Sequence, residues 1–388
     1  MLRKDIRAER LRHLPPYLFA EIDRLKKNAI ARGIDLIDLS IGDPDLPPLG
    51  FLVPELKKAV SDPRVHRYPP YQGTKEFCRA VSDWYKKSLN VNINPEKEVW
   101  SLIGSKEGLA HLVMALVNPG DIVLVPDPCY PMYRTSVGFA GGVVYHLPMT
   151  KNNDYLPDFS LIKPSIARKA RLMILNYPNN PTSAVATKEF YKEAISFANK
   201  YGIAICQDSA YAEIYYGKKP VSFLEIPGAK EVGVETRSFT KTFNIAGWRI
   251  GWLAGNEKIV GAAGQFKTNI DSGLFVAFQN ACVTALKKGE PAVAKLRKVY
   301  EERRDVFVAG LIDLGWKIKV PEATFYIWAE TPDKRISSID YCKKLISECG
   351  IAVTPGVGFG KHGEGYIRFA LTVPVKRLRE ALKRLEKF

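Results

Sequence analysis

Much that would point to a metal, a disulfide framework or a membrane is missing from this chain. Six cysteines occur, and no two form a CxxC pair. Most sit in apolar runs such as "IAICQDSA", so we read them as reduced core residues and not as disulfides or zinc ligands. Five histidines show no HExxH or similar spacing, so no metal site is expected. The longest apolar runs, such as "HLVMALV", are too short to span a bilayer. The first residues, "MLRKDIRAERLRHLPP", carry charge and no apolar stretch, which gives no secretory signal and makes the cytoplasm the expected location. There is no internal repeat, no low-complexity linker and no N-terminal helix-turn-helix extension.

What is present is ordinary in amount and specific in order. Across 388 residues, 46% are hydrophobic and 25% charged, the balance of a globular protein too long for one core. The formal charge is +16, yet the basic residues are spread and interleaved with acids, as in "KRLREALKRLEK". A nucleic-acid surface would cluster them, so no nucleic acid is expected as partner. A positive field that favours anionic substrates and cofactors fits better.

From about Trp100 onward, short apolar segments ended by Gly, Pro, Asn or Asp alternate with helical ones. The strand candidates are "VWSLIGS", "DIVLVPD", "GGVVYHL", "ARLMILNYP", "IAICQDSA", "VGVETRSF" and "RIGWLAG". The helical segments between them include "KEGLAHLVMALV" and "TKEFYKEAISFANKYG". This is the pattern of an α/β fold, a mostly parallel seven-stranded sheet flanked by helices. After about Gln265 the pattern changes to long helices, the strands "TFYIWAE" and "GYIRFAL", and a last helix. In that helix Thr372 is expected as the cap, Pro374 lies in the first turn, and Val375, Leu378, Leu382 and Leu385 share a face. The expected division is residues 1–45 joining or covering a small α+β domain, 46–285 as the large domain, and 286–388 as the small domain.

Ligands of open α/β sheets bind beyond the carboxyl ends of the strands, so the residues there matter most. "GSKEG", Gly104 to Gly108, opens a helix with free N–H groups and Ser105, which suits a phosphate. "NYPNNPT" places Asn180 after the fourth strand. "DSAY" puts Asp208 at the end of a buried strand, where an acid needs a cationic partner, with Tyr211 three positions on. "SFTKTFNIAGWRIG" sets Lys241 among Ser238 and Thr240, with Arg249 eight residues later and no acid nearby. A desolvated lysine beside another cation favours its neutral form and becomes a nucleophile able to form a Schiff base. Arg249 offers a forked grip on a phosphate dianion. Each motif alone also fits an ordinary turn. In this order they describe a ligand with a phosphate, a protonatable ring nitrogen, a ring hydroxyl and an aldehyde, which is pyridoxal 5'-phosphate.

Over essentially its whole length the chain resembles the fold-type I, class I/II pyridoxal-phosphate aminotransferases. Within them it is most similar to the LL-diaminopimelate aminotransferases, through "LPPYLFAEID", "GSKEG", "KTNIDSG" and "TPGVGFGKHGEGYIRFALTVP". The resemblance implies Lys241 as the cofactor lysine, Asp208 as partner of the pyridine nitrogen, and Asn180 and Tyr211 as ligands of the ring oxygen. It implies Ser105, the Lys106 backbone, Ser238, Thr240 and Arg249 around the phosphate, and Tyr130 of "DPCYPMY" stacked on the ring. Tyr68 of "RYPPYQG" would reach the phosphate in a neighbouring subunit of a homodimer. Arg368 of "GYIRFAL", with the Gly42 backbone of "IGDPD" opposite, would take the substrate α-carboxylate. Tyr17, Tyr68 and Asn269 would read its far end. The implied activity moves an amino group between an amino acid and a 2-oxo acid, LL-diaminopimelate and 2-oxoglutarate, in lysine biosynthesis. A broader amino acid aminotransferase of alanine, aspartate or aromatic type, and a β-lyase, share the same lysine chemistry; a non-enzymatic DNA-binding regulator is the remote alternative. The sequence departs from the family pattern in Thr240 for the usual serine, in "NIAGW" for "NMTGW", and in Tyr71, where plant-type members carry a glutamate; Asp271 is the acid that could replace it.

Overall fold

The structure, a computed structural model, describes residues 6–12 and 18–388. Tyr17 lies outside the described residues. In chain order the strands are β1 (Ile37–Asp38), β2 (Val99–Leu102), β3 (Ile122–Asp127), β4 (Val143–Pro148), β5 (Ala170–Asn176) and β6 (Ala204–Asp208). They continue with β7 (Gly233–Ser238), β8 (Gly251–Gly255), β9 (Tyr326–Glu330), β10 (Ile351–Ala352), β11 (Thr354–Pro355) and β12 (Tyr366–Ala370).

Strands β2 to β8 are the seven strand candidates of the sequence, and they form one sheet in the order β2-β8-β7-β6-β5-β3-β4. The run from β4 through β7 is parallel, while β8 lies antiparallel between β7 and β2. The unbroken apolar character of these strands follows from burial on both faces, because neighbouring side chains point to opposite sides. On β3, Val123 and Val125 join one core and Leu124 the other. On β5, Leu172 and Ile174 face one way, Met173 and Leu175 the other. Helices close both faces. One core takes Phe77, Val81 and Tyr85 of the helix Lys75–Leu89 and Phe190 and Ala194 of Lys188–Tyr201. The other takes Leu109 and Leu112 of Ser105–Leu116 and Val260 of Glu257–Thr268. Local signals start and stop these helices. Thr74 and Thr187 accept the N–H groups of Phe77 and Phe190 as N-caps, and Asn90 and Gly202 end the helices with φ of 55° and 69°.

A third large core is built from the C-terminal third and the segment before residue 45, joined by Tyr211, Ile214 and Tyr216 from the stretch after β6. β9, β11 and β12 form an antiparallel sheet, and β1 pairs in parallel with β10. Ile37 and Leu39 are buried with Phe307, Phe369 and Leu378 in the same cluster. The last helix runs Val375–Leu385, with Leu378, Ala381 and Leu385 buried. Its start corrects the sequence reading. Pro374, in extended conformation, is itself the N-cap position. Thr372 does not cap the helix, because its hydroxyl donates to the Ile41 carbonyl at 2.9 Å and ties the strand end to the N-terminal segment. All six cysteines are buried and unpaired. Among the described residues no helix is long and apolar enough to cross a membrane.

Candidate active site

The carboxyl ends of β5, β6 and β7 open onto a cleft of about 350 Å³ whose other wall is β12. Gly42, Ser105, Lys106, Tyr130, Asn180, Asp208, Tyr211, Ser238, Thr240, Lys241, Arg249 and Arg368 all line it. These are the sequence candidates, drawn from eight separate stretches of chain. Tyr68 and Asn269 do not line it in the single chain; Tyr68 is 89% exposed.

Lys241 sits in the short helical turn Phe239–Thr242 that follows β7. Its Nζ donates to the Gly42 carbonyl at 2.5 Å. Burial lowers its pKa to about 8; Asp43 opposes this, and the Arg368 and Arg249 charges add to it. Close approach at Gly42 is obligatory, since a Cβ there would lie 1.9 Å from the Tyr326 hydroxyl.

At one end of the cleft the donors are all hydroxyls, backbone N–H groups and one guanidinium. Ser238 ends β7 and its oxygen accepts the Thr240 N–H at 3.2 Å. Ser105 begins the helix Ser105–Leu116, so the first N–H groups of that helix face the same space. Arg249 has φ 54°, a strained value for a non-glycine residue, and its guanidinium lies against Gly104. A Cβ on Gly104 would sit 2.4 Å from Arg249 Nη2, so the glycine is what lets arginine and helix start converge. The strain and the cradle have a common purpose if a dianion is held there.

Asp208, at the end of β6, lines the same cleft. Burial pushes its carboxyl up, while hydrogen bonds from Tyr133 (2.7 Å), the Ala210 N–H (3.1 Å) and Thr236 (3.4 Å) hold it down. No cation pairs with it among the described residues, so a protonated ring nitrogen would meet a waiting counter-charge. Tyr211 shares a 2.8 Å hydrogen bond between hydroxyls with Tyr326. Tyr130 lies edge-on to Tyr133, with ring centres 5.8 Å apart. The donor set therefore fits pyridoxal phosphate: a phosphate cradle without acids, a carboxylate at a strand end, and a lysine whose pKa burial lowers to about 8.

Arg368 projects from β12 and is 3% exposed. It donates to Asn180 Oδ1 at 2.6 Å and to the Ser40 carbonyl at 2.8 Å, and its Nε has no partner. The guanidinium carbon lies 4.1 Å from the Tyr326 ring centre and 4.8 Å from that of Phe359. Among the described residues no carboxylate pairs with this buried charge, which is the environment of an anion receptor.

The structure adds residues the sequence reading passed over. Tyr133 was in the quoted "DPCYPMY", but only Tyr130 was given a task. Tyr326 underlies both Tyr211 and Arg368. Asp23, inside "LPPYLFAEID", lines the cleft and pairs with Lys26 at 2.9 Å. Asp271, the acid considered as a substitute for the plant-type glutamate, is instead bound by Lys267 at 2.6 Å, and Lys267 also holds Glu107 at 2.8 Å. The geometric cluster Glu107–His111–Asp271 is thus already served by that ammonium.

Comparison with known proteins agrees with the geometry. The family model for aminotransferase class I and II matches residues 34–385. An LL-diaminopimelate aminotransferase of Syntrophobacter fumaroxidans is 49% identical over 98% of each chain, and one of Maridesulfovibrio salexigens is 50% identical over 98% of each. The substrate-bound structure of BacF from Bacillus subtilis superposes with a TM-score of 0.95 at 38% identity, covering 99% of this chain and 98% of that one. The chain belongs to the class I and II aminotransferase family; it is a transferase of fold type I, and pyridoxal phosphate is its cofactor.

Proposed function

We propose that this aminotransferase takes its amino group from LL-diaminopimelate and passes it to 2-oxoglutarate, within lysine biosynthesis. What carries the choice of donor is near 50% identity, over 98% of both chains, to proteins named for that activity. The cleft supports it in having an acid, Asp23, in its lining, since a second ammonium group buried there would need a partner.

Pyridoxal phosphate, when bound, supplies an aldehyde that condenses with amines and a ring that accepts carbanion charge. Ser105, the Lys106 backbone, Ser238, Thr240 and Arg249 would hold its phosphate, Asp208 its ring nitrogen, Asn180 and Tyr211 its ring oxygen, and Lys241 its aldehyde carbon. Lys241 Nζ is the base that takes the proton from the substrate Cα, and the same atom, once protonated, is the acid that gives it back. Burial and the Arg368 and Arg249 charges keep this nitrogen neutral often enough to act. Arg368 holds the α-carboxylate, and so fixes which Cα–H bond faces Lys241.

We further infer a homodimer, with Tyr68 and Asn269 serving the site of a second copy. Support comes from their exposure and from their proximity: a Cβ on Gly273 would lie 3.1 Å from Pro69, which brings the loop after Asn269 beside the Tyr68 segment. The deciding experiment is a donor panel of LL-diaminopimelate, lysine, alanine, aspartate and glutamate against 2-oxoglutarate, with the 2-oxo acids identified. A preference below roughly tenfold in kcat/KM, one good hydrogen bond's worth, rejects diaminopimelate and leaves a broader aminotransferase. Turnover without any 2-oxo acid would indicate a β-lyase.

A further inference from the structure

Between β11 and β12 the chain forms a tight loop, residues 356–363, that reaches across to the end of β3. One carboxylate fixes it there. Asp127, fully buried, accepts the His362 backbone N–H at 3.4 Å, and its other oxygen faces His362 Nδ1 at 3.0 Å. The approach requires glycine at position 360, where φ is 142° and a Cβ would lie 1.7 Å from Asp127 Oδ1. Two more bonds follow the same line: the Cys129 N–H to the Phe359 carbonyl at 2.8 Å, and Arg134 Nη2 to the Gly358 carbonyl at 3.2 Å.

The loop carries Phe359. Its ring is fully buried and its centre lies 4.8 Å from the Arg368 guanidinium carbon, which also lies 4.1 Å from that of Tyr326. The turn that receives the loop, just beyond Asp127, carries Tyr130 of the cleft wall. These contacts relate the position of the arginine to the position of the wall that carries Tyr130. Asp127 has other neighbours: the His146 ring at 3.6 Å, whose pKa burial lowers, and the Arg134 guanidinium, which lies against the same Gly360 position. His362 is the side chain among these that both meets the carboxylate within hydrogen-bond distance and belongs to the loop bearing Phe359.

We propose that His362 is a positioning residue for carboxylate recognition: its bond to Asp127 seats Phe359 against Arg368 and keeps the guanidinium aimed into the cleft. This rests on the reading of Arg368 as the α-carboxylate site. Since both substrates are 2-substituted acids, both depend on that aim for binding; once the carboxylate is held, Lys241 meets the same Cα–H bond.

The test uses the holoenzyme with succinate as an unreactive carboxylate probe, followed by calorimetry, together with KM for donor and 2-oxo acid, kcat and the melting temperature. His362→Leu should raise both KM values and the succinate Kd by roughly tenfold, one charge-assisted hydrogen bond's worth, with kcat changed by less than about threefold. His362→Asn, which keeps a donor toward Asp127, should return all three constants to within about threefold of wild type. Phe359→Leu, which keeps apolar fill and leaves Asp127 untouched, should weaken succinate binding in the same sense. The proposal is overturned if His362→Leu or Phe359→Leu binds succinate as wild type does while Arg368→Lys does not, or if His362→Asn is as impaired as His362→Leu. Wild-type succinate binding by Arg368→Lys removes the reading of the arginine itself, and the proposal with it.

Discussion

Arg368 donates from Nη1 to Asn180 Oδ1 at 2.6 Å, so the side chain expected to hold a carboxylate and the one expected to hold a ring oxygen are bonded to each other. In the proposed roles, substrate and cofactor recognition would meet at this bond. Arg368→Lys keeps the charge and loses the fork, and should weaken donor and 2-oxo acid alike, by tenfold or more (roughly one charge-assisted hydrogen bond). Asn180→Ala should weaken the same carboxylate contact indirectly, and the double variant should show coupling of about 0.5–3 kcal/mol. Steady-state KM values for both substrates check this. Loss confined to one substrate would make Arg368 a specificity residue, and strict additivity would mean the bond has no consequence.

Lys241 gives a pH prediction with a defined sign. Its ammonium loses its proton at about 8 because burial disfavours the charge, with Arg368 and Arg249 adding to the effect and Asp43 opposing it. At pH 7 roughly a tenth of the amine is then neutral, against about one part in a few thousand for an ordinary lysine. Capture of pyridoxal phosphate by the cofactor-free protein, trapped with borohydride, should rise with pH and level off above about 8. Asp43→Asn removes the opposing charge and should move that midpoint to lower pH. A midpoint near 10, or label on a peptide other than that of Lys241, would contradict the assignment.

The sheet was readable because each of its seven strands is a short apolar run closed by a turn residue, and the site because its residues stand where those runs end. Lys241, Asp208 and Ser105 needed no tertiary information to be placed. What could not be read are approaches between distant segments. Tyr326 lies mid-strand in a small sheet, and its meeting with Tyr211 is a contact across 115 positions. Thr372 had the look of a helix cap until the Ile41 carbonyl, 331 positions away, took its hydroxyl. Asp271, the candidate for the plant-type acid, is bound by Lys267, whose burial to 2% exposure depends on packing that a local pattern does not show.

Asp208 is the residue proposed to face the ring nitrogen. Burial raises its carboxyl pKa, so its charge is maintained by Tyr133, the Ala210 N–H and Thr236, and by whatever cation it faces. Asp208→Asn should fold, since the amide is isosteric, and should lower kcat/KM by at least ~10² (about 3 kcal/mol), the usual loss for a preorganised electrostatic group. Tyr133→Phe should cost less, about tenfold, because it removes one neutral donor to the carboxylate. Near wild-type turnover in Asp208→Asn would take the aspartate out of the reaction.

Asp23 separates the narrow reading of the substrate from the broad one. It lines the cleft from the helix Leu18–Ala31, and its one ion-pair partner among the described residues, Lys26, also holds Asp38 at 2.8 Å. Lys26 therefore has a second acid to rely on, and Asp23 can turn to a ligand without stranding a buried ammonium. A donor with an ammonium at its far end needs such an acid, because burying that charge unpaired costs several kcal/mol. Alanine has no far end and needs nothing there. Asp23→Asn should therefore lower kcat/KM for LL-diaminopimelate by roughly tenfold, the worth of one charge-assisted hydrogen bond, and leave alanine within about twofold. Equal losses for the two donors would mean that Asp23 acts on the fold of its helix. No loss for either would mean that the far ammonium is met elsewhere, and Tyr71 and the Asn269 loop of a second copy would be the next positions to vary.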